Sequence, residues 1–297
     1  RGLAHFSGRF GPKNVPVPGP PKGTVPVNGY DDSGNFPPWS PPLRLKLIAC
    51  EILYRELCAA VARSINHVDI EFLPKGLHDI GQEGMSSRLA QVLAKVDQSQ
   101  YEAVLFGYGL CSNGVIGLSA DKIPLVIPRA HDCITFFFGS KERYLEYFQS
   151  HPGVYFKTSG WIERGENTHQ ANPQSIAHKS GMVQTYDELV AKYGEDNARF
   201  LYEQLCNMTR NYNAIAYIEM GIEPDDRFER TARRQAAERG WSFEKLRGDL
   251  GLLQSLVDGP WDDARFLVVP PGSRVAASFD EQIIKAEAVR LGSPVPA

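Results

Sequence analysis

The sequence predicts an α/β fold, with a mostly parallel sheet or sheets flanked by helices. Three observations carry that expectation. Short apolar, β-rich runs alternate with stretches of helical period along most of the chain. Several of these runs stop at glycine, where a tight turn can end a buried strand. Finally, YEAVLFGYG at 101 and YNAIAYIEMG at 212 share one shape, which hints at two similar Rossmann-like halves, 43–150 and 151–297.

Bulk properties set the class. The 297 residues suffice for one large or two medium domains. Hydrophobic content of 42%, charged content of 23% and a net charge of -3 are ordinary for a globular chain and give no basic footprint for nucleic acid. No apolar run is long enough to span a membrane, and the first residues lack an apolar signal core. Five cysteines, an odd number, argue against a secreted disulfide scaffold and for a reducing, cytoplasmic setting.

Taken in order, residues 1–42 hold ten of the 21 prolines and seven of the 27 glycines. They read as an extended arm of polyproline character, either anchored through Phe36 and Trp39 to the body or to a second copy in a homo-oligomer, or attached only loosely as a tail. The body, 43–297, opens with the strand LRLKLIAC and the helix Glu51–Ser64, whose apolar positions Ile52, Leu53, Leu57, Ala60 and Val61 repeat at helical spacing. Cys50 sits at their junction, and Cys58 is expected in the core. VDIEFLP is the second strand, KGLHDIGQEG a loop, and Met85–Val96 the second helix. Ala103–Phe106 and Pro124–Ile127 are the third and fourth strands.

After Cys133 a helix follows, its main segment capped by Ser140. Gly153–Thr158 is a strand ending in Ser159-Gly160-Trp161-Ile162-Glu163. Residues 164–182 read as a surface loop or lid, and Tyr186–Cys206 as a helix bent near Gly194. Asn213–Glu219 is a strand, Phe228–Arg239 and Phe243–Val257 are helices, Ala264–Val269 is the last strand, and a short helix around Gln282–Val289 closes the chain. The charge-rich PDDRFERTARRQAAERG reads as a solvated helix face.

The chemistry concentrates at 101–133, where the third and fourth strands would deliver Gly107-Tyr108-Gly109, Cys111 and Pro128-Arg129-Ala130-His131-Asp132-Cys133 to one carboxyl edge. Cys50, Cys111, His131 and Cys133 are candidate zinc ligands, because zinc favours tetrahedral Cys/His coordination. His78, in the loop after the second strand, could replace one thiol. A second reading makes Cys111 a metal-free nucleophile, its pKa lowered at a helix N-terminus, with His131 as base and Asp132 or Glu51 orienting the imidazole. In a third, Gly107, Tyr108, Gly109, Ser112, Asn113, Gly114 and Arg129 cradle an anionic cofactor. Neither GxGxxG after the first strand nor GxxxxGK[ST] occurs. Trp161, Glu163, Tyr217 and Glu219 fall at strand ends, where aromatics and carboxylates suit a flat or cationic substrate. Against each stands an ordinary structural reading: buried small thiols, turn glycines, packed aromatics.

LKLIACEIL, the Leu77-His78-Asp79 triplet, YGLCSNG, PRAHDCITFFFGSKERY, SGWIE, KYGEDNA, GDLGLL and FLVVPPG, in this order, resemble a prokaryotic family of domains of unknown function, number 1638. The likeness runs from about Leu45 to about Ile284 and leaves out the proline-rich arm. It implies a context of one-carbon metabolism beside corrinoid- and folate-dependent methyl transfer. The expectation is therefore a zinc-dependent methyltransferase acting on a small-molecule methyl donor and acceptor, with tetrahydrofolate or a corrinoid protein as the other partner. Cys111, His131 and Glu163 would be its catalytic residues. The alternatives are a metal- or cofactor-binding accessory protein without turnover and a metal-free Cys/His transferase.

Overall fold

The computed structural model describes residues 41–165, 173–180, 182–206 and 211–289. They belong to one compact unit that begins at Pro41. The arm at 1–40, with Phe36 and Trp39, and residues 166–172 and 181 of the expected lid lie outside the described residues.

A five-stranded sheet forms the centre. Its strands are β1 (Arg44–Cys50), β2 (His67–Leu73), β3 (Ala103–Gly107), β4 (Leu125–Pro128) and β8 (Phe266–Val269), in the order β2-β1-β3-β4-β8. The first four are parallel, and β8 runs antiparallel to β4. β3 and β4 are buried along their whole length, which is why they read as unbroken apolar runs. α1 (Tyr54–Val61), α2 (Gly81–Leu93) and α10 (Gly251–Asp258) contribute Leu57, Leu89 and Leu256 to the same core.

A second, three-stranded parallel sheet has the order β5-β6-β7, from β5 (Val154–Lys157), β6 (Ala214–Glu219) and β7 (Ser242–Arg247). α9 (Arg227–Glu238) buries Phe228, Ala232 and Ala236 against Ile215 and Tyr217 of β6. Its outer face carries the i,i+4 pairs Asp226–Arg230, Glu229–Arg233 and Arg234–Glu238, the solvated face its composition implies. The hairpin β9 (Ser273–Ala277) and β10 (Ile284–Ala288) completes the described strands.

α3 (Ile134–Phe138) and α4 (Lys141–Ser150) follow β4, and α5 (Ser159–Glu163) follows β5. Ser140 caps α4 through a hydrogen bond from the Arg143 N–H, as its position implies. Further on are α6 (Ile176–Lys179), α7 (Tyr186–Tyr193) and α8 (Glu195–Leu201). The break expected at Gly194 is there, with φ +78° between α7 and α8. No helix among the described residues is long and apolar enough to cross a membrane.

Four expectations need correction. The segment 243–257 is not one helix: β7 ends at Arg247, Gly248 intervenes, and only Gly251–Asp258 is helical. The helical period came from Leu252, Leu253, Leu256 and Val257, whereas β7 is an edge strand too exposed to show a buried alternation. The terminal segment is β10, not a helix, because pairing with β9 overrides the helix-forming composition of IKAEA. The loop KGLHDIGQEG is helical, as a 3₁₀ turn at Lys75–Ile80 leads directly into α2. And no helix follows β3: Cys111, Ser112 and Asn113 form a left-handed turn instead, with φ of 41°, 56° and 65°.

Candidate functional site

In the order β2-β1-β3-β4 the chain winds one way from β1 and the other way from β3, so the switch point lies between β1 and β3. Ligands of open α/β sheets bind in the crevice at that point, off the carboxyl ends of the strands. Cys50 is the last residue of β1, Tyr108 follows β3, Cys133 follows β4, and His78 lies on the turn after β2. Four neighbouring strands thus deliver three thiols, a phenol and an imidazole to one edge.

These groups feel one another. The Cys50 sulfur lies 3.7 Å from His78 Nε2, and the His78 ring centre is 6.3 Å from that of Tyr108. Cys50, Cys111 and Cys133 are all buried. Burial pushes the Cys50 thiol up to about 12 and raises the Cys111 and Cys133 thiols well above the ordinary thiol range. A charge on one thiol would raise the others further, while the backbone amides of Gly109 and Cys133 act in the opposite direction on Cys111. Burial also lowers the pKa of His78, which favours the neutral ring, the form that ligates metals. Tyr108 is fully buried, its pKa is raised by burial and by the nearby thiols, and its hydroxyl has no hydrogen-bond partner among the described residues.

The turn that carries Cys111 is strained. Three consecutive non-glycine residues in the left-handed region cost about 1–2 kcal/mol each. The strain is held by main-chain pairing: Leu110 N–H donates to the Ala130 carbonyl at 2.7 Å, and Cys111 N–H to the His131 carbonyl at 2.9 Å. Strain of this kind gathers at functional sites, where the surroundings fix it. Gly109 is needed for the same closure, because a Cβ there would sit 2.6 Å from the Ala130 carbonyl oxygen.

The other candidates are placed elsewhere. The His131 side chain is exposed, although its carbonyl braces Cys111. Asp132 accepts from the Ile134 N–H and the Tyr144 hydroxyl, and Glu51 accepts from the Lys75 N–H, so neither carboxylate orients the His131 ring, although the charge of Asp132 is felt by His78. Arg129 is buried and spends its guanidinium on Asp263 and on the carbonyls of Gln282 and Ile284. Gly107 packs against Ala49, where a Cβ would come to 2.6 Å from the alanine Cβ. Asn113 reaches Gln82 of α2, while Ser112 is exposed. Glu163 makes two hydrogen bonds to Arg55, at 2.6 and 2.9 Å, which hold its carboxyl below the usual range. Trp161 lies under the Lys75 ammonium at 4.8 Å, and the charge of that lysine favours a Cys50 thiolate.

One group was not anticipated. Glu56 on α1 is fully buried, one of its oxygens has no partner among the described residues, and the other receives the Ser159 hydroxyl at 3.3 Å. Burial, reinforced by the charge of Glu223, pushes its pKa to about 7. The signal was present: Glu56 falls three residues after Leu53 and four before Ala60, on the apolar stripe of its helix.

A family model, described as "Protein of unknown function (DUF1638)", matches residues 72–257, more than half of the chain. The chain belongs to the DUF1638 family. No curated protein and no solved structure matches it. The DUF1638 span takes in His78, Tyr108, Cys111 and Cys133 and begins after Cys50.

Whether these residues suit zinc is decided by donor chemistry and by spacing. Three thiols and a neutral imidazole are the donors zinc prefers. Among the described residues, however, no group of three His, Cys, Asp or Glu side chains is spaced to hold a metal ion. Cys50 and His78 are one close pair, and the set with His131 is not assembled. A four-donor centre would require the Cys111 and Cys133 thiols to lose their protons and to draw in on the Cys50–His78 pair.

Proposed function

We propose that this protein carries a thiol-rich soft-metal centre at the carboxyl edge of its main sheet, with Cys50, His78, Cys111 and Cys133 as ligands, and that it works as a one-carbon group transferase. The observation that carries this reading is the delivery of three buried thiols and His78 to one sheet edge, beside a strained turn and a tyrosine hydroxyl without a partner among the described residues.

The electrostatics favour it over a free cysteine nucleophile. A thiol whose pKa is raised by burial is inert as a nucleophile at neutral pH. Metal coordination is the ordinary way to keep such a sulfur deprotonated. Zinc bound there would supply Lewis acidity and thiolate character at neutral pH. The chain's own residues would do the rest. Lys75 stabilises negative charge on Cys50. Tyr108 has a hydroxyl proton free to donate to a thiolate or a substrate oxygen. Methyl transfer between a thiol and a folate or corrinoid carrier is the reaction we assign, on the strength of the family resemblance.

The test is metal analysis of protein purified without chelators. Wild type and His131→Ala should each hold about one zinc per chain, and His78→Ala and Cys111→Ser should lose it. Metal-free wild type, or metal retained in all the variants, would remove the centre. Methyl transfer from a methylated corrinoid or folate to a thiol should then be present in wild type and absent in Cys111→Ser.

A further inference from the structure

The second sheet opens on a different kind of space. A cleft of about 970 Å³ lies off the carboxyl ends of β6 and β7 and is lined by Glu219, Lys245, Arg247 and Asp249, with Arg63 and Arg143 from the segments after α1 and within α4. This is again the edge of a parallel sheet where ligands bind. Its floor is shaped by close approach: a Cβ at Gly248 would meet the Met220 sulfur at 2.1 Å.

The charges in the cleft divide into two groups. Lys245 is held by Glu219 at 2.7 Å and Glu229 at 2.8 Å. Arg143 donates to the Phe138 carbonyl at 3.1 Å and to the Arg247 carbonyl at 2.5 Å, fixing the strand end. Asp249 accepts from the Gly251 N–H at 2.7 Å, and its own N–H donates to the Phe137 carbonyl. Those groups build the walls. The guanidinium groups of Arg63 and Arg247, by contrast, make no hydrogen bond or ion pair among the described residues, yet both line the cleft.

With Glu219 paired to Lys245, the cleft keeps more positive than negative charge. Two guanidinium forks unengaged among the described residues and lining a polar cleft are the groups that take an oxyanion, which arginine holds in bidentate fashion. We infer that this cleft binds a small molecule bearing a phosphate or carboxylate group, with Arg63 and Arg247 as its anion contacts. The inference stands on the cleft alone and does not rest on the metal centre.

The test uses the whole chain and two probes, inorganic pyrophosphate and tricarballylate, titrated by calorimetry into wild type, Arg63→Gln, Arg247→Gln and Arg234→Gln. Arg234 lies on the exposed face of α9, so its variant removes the same charge elsewhere. Saturable binding in wild type, weakened about tenfold in both cleft variants and unchanged in Arg234→Gln, is expected. Pyrophosphate alone binding would make the ligand a phosphate compound; tricarballylate alone would make it a carboxylate. No saturable binding of either probe, or equal weakening in all three variants, would overturn the site.

Discussion

The two sheets present their carboxyl edges in opposite ways. The five-stranded sheet closes its edge: Cys50, Cys111, Cys133 and Tyr108 are buried, and the N–H groups of Leu110 and Cys111 are taken up by the carbonyls of residues 130 and 131. The three-stranded sheet leaves its edge open as a charged cleft, walled by paired groups and carrying two arginines that have no partner among the described residues. A buried edge suits soft ligands that lose protons on binding a metal. An open, positive edge suits a charged molecule that comes and goes. The same α/β rule places both, and burial decides their chemistry.

The largest expected contrast comes from two arginines. Arg129, beside the closed edge, ties Asp263 and the hairpin carbonyls of Gln282 and Ile284 together. Its replacement by alanine should lower stability by about 3–5 kcal/mol in denaturant unfolding. Arg63→Ala, at the cleft, should change it by less than about 0.5 kcal/mol. Equal effects would erase the distinction between a filled and an open edge.

Two glycines give the next contrast. Gly109→Ala forces a Cβ against the Ala130 carbonyl and should lose about 3 kcal/mol. Gly221, in the cleft loop, has nothing within 4 Å of an added Cβ but sits at φ +74°, so Gly221→Ala should lose only about 1 kcal/mol. Thermal unfolding of both variants measures the difference.

Glu56 gives a pH dependence. The folded carboxyl keeps its proton up to about 7, whereas an ordinary glutamate releases it near 4.5. The native state therefore binds more protons across that window, and stability falls as pH rises from about 4.5 to about 7. Glu56→Gln should flatten this fall, which is on the order of 2–3 kcal/mol. Urea midpoints at several pH values would show it; an unchanged slope in the variant would contradict the assignment.

The smallest effect to read is a rate. In metal-free native protein, Cys58 and Cys206, which are partly exposed, should alkylate with iodoacetamide before the buried Cys50, Cys111 and Cys133. Fast labelling of Cys111 would restore the free-nucleophile reading.

Much of this was legible in the sequence because strand ends announce themselves. Short apolar runs, one ended by glycine and two by a sudden change to polar residues, put Cys50, Cys111 and Cys133 at or just beyond strand ends, and the strands lie where those runs end. The choice of histidine was not legible. His131 is adjacent in sequence to the thiols, but the pairing of residues 110 and 111 with the carbonyls of 130 and 131 leaves its ring outside, and the 3₁₀ turn after β2 brings His78 in. Glu56 was hidden by habit, since a glutamate on a helix is read as solvated unless its stripe is checked. The cleft could not be seen from local sequence at all: Arg63, Arg143 and Arg247 come from three separate elements that only the fold brings together.

The most direct test of the thiol centre is cobalt(II) substitution followed by absorption spectroscopy. Wild type and His131→Ala should show intense thiolate-to-cobalt charge transfer with the visible bands of a tetrahedral site, and both signals should weaken in Cys111→Ser and Cys133→Ser. A spectrum without thiolate charge transfer, or one that survives loss of both thiols, would contradict a metal centre at this edge and leave the three buried cysteines as core residues.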